Sequence, residues 1–159
     1  MRKGFTLIEN IMVILLIGIL FAGVAVYIQE SIDSWVFMSE QKELLLDARS
    51  AMARMTRELK TTNRNVNLTV HTSTEVTFRN IQNNSITFRQ DGSALKRNTE
   101  ILAENLLIPR GLNFRYFDDA GSETSGSNMI ESIRIRLTIV SGQNKFVIES
   151  SVGLRIKQL

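Results

Sequence analysis

Met1-Arg2-Lys3-Gly4-Phe5-Thr6-Leu7-Ile8-Glu9-Asn10 carries the most informative pattern in the chain. Arg2, Lys3 and Gly4 stand directly before a long apolar run that holds one carboxylate, Glu9, near its start. From Phe5 to Ile28 no other charged residue occurs. At a rise of about 1.5 Å per residue, a helix of about 24 residues crosses a hydrocarbon core of roughly 30 Å. A carboxylate inside such a segment costs roughly 3 kcal/mol on insertion scales, which marks Glu9 as a functional residue.

Lys3-Gly4-Phe5-Thr6-Leu7-Ile8-Glu9 resembles the N-terminus of type IV pilins and type II secretion pseudopilins. The resemblance covers about the first fifth of the chain. It implies cleavage by a prepilin peptidase between Gly4 and Phe5, N-methylation of Phe5, and a part for Glu9 in assembling subunits into a helical filament. It also implies the fold class: α+β and pilin-like, a long N-terminal helix packed on an antiparallel β-sheet. An ordinary secretory signal fits poorly, because its cleavage site follows the apolar core. Here the cut precedes the run, and the run stays in the mature protein.

Cleavage leaves a free α-amine on Phe5. In lipid, a carboxylate of one subunit and an ammonium of its neighbour neutralise each other where neither is tolerated alone. Only one stagger of two helices brings those charges together, so the pair sets axial register. Thr6 and Asn10 flank Glu9 as hydrogen-bonding neighbours or as plain interfacial polarity. Arg2 and Lys3 keep the N-terminus cytoplasmic by the positive-inside rule, which exports the remainder across the bacterial inner membrane.

Beyond Ile28 the helical period continues. Trp35, Met38, Lys42, Leu45, Ala48, Met52, Met55 and Leu59 recur at spacings of three and four, with one lysine interruption. Neither proline nor glycine occurs from Val24 to Lys60. The pattern predicts one helix over 5–60 that lays its Leu45 to Leu59 stripe on a sheet. Gly18 and Gly23 are its weak points, glycine costing about 1 kcal/mol in a helix interior.

After Lys60 and a polar break at 61–65, the period falls to two. Val76 and Phe78, then Ile86 and Phe88, alternate with polar neighbours around a turn at Gln82-Asn83-Asn84. Asp91-Gly92 is the strongest hairpin signal, joining Ser85–Gln90 to Ala94–Arg97. Thr99–Leu106 reads as a polar or helical piece. Leu112–Phe117, Ile133–Ile139 and Phe146–Val152 read as strands, the last two joined through Ser141-Gly142-Gln143-Asn144. In Ile133–Ile139, Ile133, Ile135, Leu137 and Ile139 point inward and Arg134, Arg136 and Thr138 outward. The expected domains are therefore a leader at 1–4, a transmembrane helix half at 5–28, an exported amphipathic half at 29–61 and an antiparallel sheet domain at 62–159.

The strand chemistry around Thr87-Phe88, Asp91-Gly92, Phe114–Asp118 and Ile133–Thr138 resembles the J-type pseudopilin and the W-type minor pilin. The related K-type tip subunit typically lacks the glutamate, so Glu9 argues against that type. The partners implied are other minor subunits, the major subunit and the prepilin peptidase, and the function is to initiate or cap a pilus or pseudopilus.

Composition narrows the alternatives. The chain carries 19 basic and 16 acidic residues, a balance that is no nucleic-acid footprint. It has no cysteine, which excludes the disulfide-closed loop of many major pilins, and one histidine, His71. No nucleophile elbow, phosphate loop or spaced carboxylate pair occurs, so the reading is a structural protein rather than an enzyme. Asp118, Asp119 and Glu123 in an acidic, glycine-rich loop are the calcium candidates, against a plain solvated loop and no cofactor. A competence pseudopilin, with Arg115, Arg134 and Arg136 meeting phosphate, and an anchored binding domain that never polymerises remain as alternatives.

Overall fold

A computed structural model describes residues 6–61, 68–80, 82–126 and 129–154. Its elements are α1 (Leu7–Lys60) followed by β1 (Leu68–His71), β2 (Glu75–Arg79), β3 (Ser85–Asp91), β4 (Ala94–Arg97), β5 (Glu100–Ala103), β6 (Leu112–Phe117), β7 (Ser132–Ser141) and β8 (Asn144–Gly153). This is an α+β, pilin-like arrangement of one long N-terminal helix and antiparallel strands. The chain divides into two units, Met1–Glu40 and Gln41–Leu159.

Within the second unit the helix stripe does what its spacing predicts. Ala48, Ala51, Met52, Met55 and Leu59 are buried, with Leu45 half-buried at the start. Of these, Ala51, Met52, Met55 and Leu59 join one core with Val76, Phe78, Ile86, Phe88 and Leu95 and with Leu112, Phe114, Tyr116, Ile133, Ile135, Leu137 and Val152 of β6, β7 and β8. Alanine at 48 and 51 lets the helix approach closely, and methionine at 52 and 55 fills what remains. Two ion-pair clamps fix the last turns over the β4–β5 hairpin. Arg54 grips both oxygens of Glu100 at 2.7 and 2.9 Å, and Arg97 Nε donates to Glu58 at 2.9 Å. The Arg54 guanidinium holds the Glu100 carboxyl below its ordinary range. That contribution is present above the carboxylate range and fades as pH falls through it.

Strands one to five form one sheet in the order β1-β2-β3-β4-β5, and β6-β7-β8 form a second. The sequence led to one sheet; the chain makes two because the segment after β5 continues into turns at 108–110 and not into a hairpin. The sheets are joined where the Phe114 N–H donates to the Ser73 carbonyl at 2.8 Å. Gln90 adds a bracket, donating to the Gly92 and Leu107 carbonyls while its Oε1 accepts from the Leu112 N–H.

Residues 100–103 are strand β5, not a polar or helical piece: Arg97 pairs with Glu100 across Asn98-Thr99, and Asn98 takes φ 53° to make the turn. Thr138 is buried rather than outward, because residues 107–111 cover it. Its carbonyl accepts from Leu107 N–H at 2.9 Å and its N–H donates to Gly111 O at 2.7 Å. The turns at Gln82-Asn83-Asn84 and Gly142-Gln143 lie where expected, and the β3–β4 turn falls one residue later, on Gly92-Ser93, because Asp91 pairs with Ala94 in the strand; Asn83, Gly92 and Gly142 take the left-handed region.

Tyr116 links the core to alkaline pH. Its hydroxyl donates to the Thr72 carbonyl at 2.8 Å, and burial pushes its pKa well above the ordinary 10.0. A folded-state pKa above the unfolded value means that stability is intact below about pH 10 and falls as pH rises past it. Urea unfolding at about pH 8 and about pH 11 should show this loss, and Tyr116→Phe should lose less between the two.

Candidate functional site

The first unit presents one ionisable group at the head of an apolar helix. Thr6 stands at the N-cap of α1, where its carbonyl accepts from the N–H groups of Glu9 and Asn10 at 3.1 and 3.3 Å. Glu9 Oε2 reaches back to the Thr6 N–H at 3.4 Å. Threonine followed three residues later by glutamate is the capping-box spacing, and Glu9 supplies the return bond of that motif. The carboxylate also lies in the first helical turn, where the helix dipole favours negative charge. Thr6 thus contacts Glu9 through its backbone. Gly4 and Phe5, the expected processing residues, lie outside the described residues.

Around Glu9 the helix surface is apolar on all sides. Leu7, Ile8, Met12, Leu15, Leu20 and Phe21 are all exposed, Phe21 at 71%. A helix hydrophobic all round belongs in lipid or against other helices. α1 is long and apolar enough to cross a membrane. Ser31 and Ser39 return their hydroxyls to the Tyr27 and Val36 carbonyls at 2.8 Å, so neither leaves its donor unpaired. A Cβ added at Gly18 or Gly23 meets nothing within 4 Å, so the chain itself leaves room there for a neighbouring helix.

In the second unit the calcium candidates are parted by local bonds. Asp118 Oδ1 accepts from the Ser122 N–H at 2.7 Å, closing a turn with Gly121 at φ 75°. Glu123 pairs instead with Arg115 at 2.7 Å, which lowers its pKa. Asp119 is exposed. Among the described residues, no group of three or more His, Asp or Glu is placed to hold a metal ion.

Arg115 and Arg134 oppose each other across β6 and β7, and both lie over the Phe117 ring at 5.6 and 4.8 Å. Like charges directly opposite are destabilising, and the ring face and Glu123 offset the repulsion. Arg136 pairs with Glu149 on β8. His71 Nε2 donates to the Ser125 carbonyl at 2.8 Å, since a carbonyl only accepts, and its ring meets Tyr116 edge-on at 5.5 Å. The histidine therefore fastens the 118–126 loop to β1. The clamps Arg54–Glu100 and Glu58–Arg97 were beyond sequence reasoning, because they join residues far apart in the chain.

The sequence model of the prokaryotic N-terminal methylation motif matches residues 1–25. Comparison with curated proteins and with solved structures returns no significant match. The motif together with the long apolar helix fits a type IV pilin-like protein, and it indicates a prepilin-peptidase substrate.

Proposed function

We propose that this chain is a minor pilin or pseudopilin subunit that helps to initiate or cap a filament. The peptidase cuts between Gly4 and Phe5, and Phe5 is methylated. The helix half at 5–28 waits in the inner membrane with its N-terminus cytoplasmic, and 29–61 with the sheet domain at 62–159 stand outside. On assembly the apolar helix packs among those of neighbouring minor and major subunits. There the Glu9 carboxylate meets the Phe5 ammonium of the next subunit. The role is structural, without catalysis.

The observation that carries this reading is the lone carboxylate of Glu9 at the head of a helix whose apolar side chains are exposed on every face. Such a surface needs lipid or other helices around it, and such a charge needs a cation. The resemblance of the strand segments to those of the J-type and W-type subunits supports a minor role.

Glu9→Ala and Glu9→Gln in the native host test this. Breaking a buried ion pair costs about 3–5 kcal/mol, so recovery in sheared filaments should fall by more than about a hundredfold for both variants. Cleavage and membrane level should stay unchanged. Because glutamine can still accept from the Thr6 N–H, Glu9→Gln separates the charge from the cap. Filaments that keep either variant at the normal level would contradict assembly through Glu9, and a wild-type chain absent from filaments would favour an anchored domain that does not polymerise.

A further inference from the structure

Among the described residues, β8 is a long open sheet edge. Its hairpin with β7 closes at the Ser141–Asn144 pair, and the register alternates from there. Asn144, Phe146, Ile148, Ser150 and Val152 therefore turn their backbone groups to β7, while Lys145, Val147, Glu149 and Ser151 turn theirs away. The other side of β7 agrees. Thr138 and Val140, opposite Val147 and Lys145, donate away from β8 to the Gly111 and Asn105 carbonyls at 2.7 and 2.8 Å. Among the described residues no hydrogen bond reaches the outward backbone groups of β8.

The remaining edges are handled differently. β1 and β5 have four residues each. On β6 the outward Phe114 N–H is bonded to Ser73, and the Tyr116 carbonyl accepts from Thr124. β8 runs for ten residues without bulge or proline, with Val147 exposed at its middle. Natural proteins shorten or cover such edges, since a row of free N–H and C=O groups is a template for another strand.

A groove of about 490 Å³ runs beside that edge, lined by Arg49, Arg57 and Lys60 of α1 with Met52, Ile148 and Glu149. Spacings of eight and three put the three cations on one helix face. The ion pairs among the described residues involve none of them, nor Lys145.

We propose that β8 is a docking strand for an extended acidic segment of another polypeptide. The segment adds to the second sheet as a fourth strand, bonding the outward groups of Lys145, Val147 and Glu149. Its carboxylates lie over Arg49, Arg57 and Lys60, and an apolar side chain covers Val147. Charge selects this occupant. A second copy pairing through its own β8 would bring two sets of helix cations together. A lipid surface would neutralise the cations but leave the strand edge unbonded. The proposal is independent of the part given to Glu9.

The test uses the full chain in neutral detergent micelles and a labelled ten-residue peptide alternating glutamate with threonine and valine. Saturable binding is expected, with none for the lysine counterpart. The amides of Val147 and Glu149 should exchange fast in the free chain and about tenfold slower with peptide, while those of Phe146 and Ile148 stay slow throughout. Val147→Pro removes an outward N–H and no bond to β7, so it should weaken binding about tenfold or more. Arg49→Glu with Arg57→Glu, on the exposed helix face, should do the same without touching the strand. Failure to bind, or binding that survives Val147→Pro without new amide protection, would overturn the proposal, the latter assigning the cations to anionic surfaces. Slow exchange of Val147 and Glu149 in a peptide-free dimer would equally overturn it in favour of a second copy.

Discussion

Phe88→Ala should lower the stability of the second unit by about 3–5 kcal/mol, the range for emptying a fully buried phenylalanine site. Phe88 is fully buried on β3, with its ring centroid 5.9 Å from that of Phe78. Val76 stands opposite it on β2 and Arg97 on β4, so both neighbours are held by ladder bonds that resist collapse into the space. A cavity that cannot collapse costs most, because the lining loses its dispersion partners as well as the transfer energy. Urea unfolding of the full chain in micelles, followed by far-ultraviolet dichroism, should show a lower midpoint at unchanged slope. Phe88→Leu, which keeps most of the volume, should cost less than half as much. Equal losses for the two would mean that the site relaxes freely.

Gly111→Ala is expected to cost about 2–4 kcal/mol, although it adds only one methyl group. A Cβ at 111 would lie 2.6 Å from both the backbone N and O of Leu107 and 2.8 Å from the Leu106 Cβ. The two nearest are backbone atoms and cannot swing aside. Leu107 N–H is tied to the Thr138 carbonyl at 2.9 Å, and Gly111 O holds the Thr138 N–H at 2.7 Å. Relief therefore requires breaking the contact that covers β7 and buries Thr138. Gly153→Ala is the control: a Cβ there meets nothing within 4 Å, and its effect should stay within about 0.5 kcal/mol. A Gly111→Ala variant as stable as the control would show that segment 106–111 is not held against β7 as described.

Much of the architecture is written in local pattern. The stripe from Leu45 to Leu59 and the alternation in Ile133–Ile139 each follow from one element's own period. So do the turns at Gly92-Ser93 and Gly142-Gln143, where the left-handed residue is glycine. β5 was less visible because its turn uses Asn98-Thr99, a weaker signal than Asn-Gly. The division into two sheets and the burial of Thr138 depend on where residues 104–111 run, and no periodicity encodes that path. Glu9 was legible because a single carboxylate in an apolar run is conspicuous in the sequence itself. The open edge of β8 was not, since the sequence shows that a strand exists without showing which strand ends a sheet.

Processing by a prepilin peptidase is read from the intact mass and N-terminal fragment spectrum of the chain purified from its native host. A prepilin-peptidase substrate gives a chain that starts at Phe5, lacks residues 1–4 and carries one methyl group on its α-amine. A chain that retains Met1 to Gly4, or is cut beyond the apolar run, would contradict it.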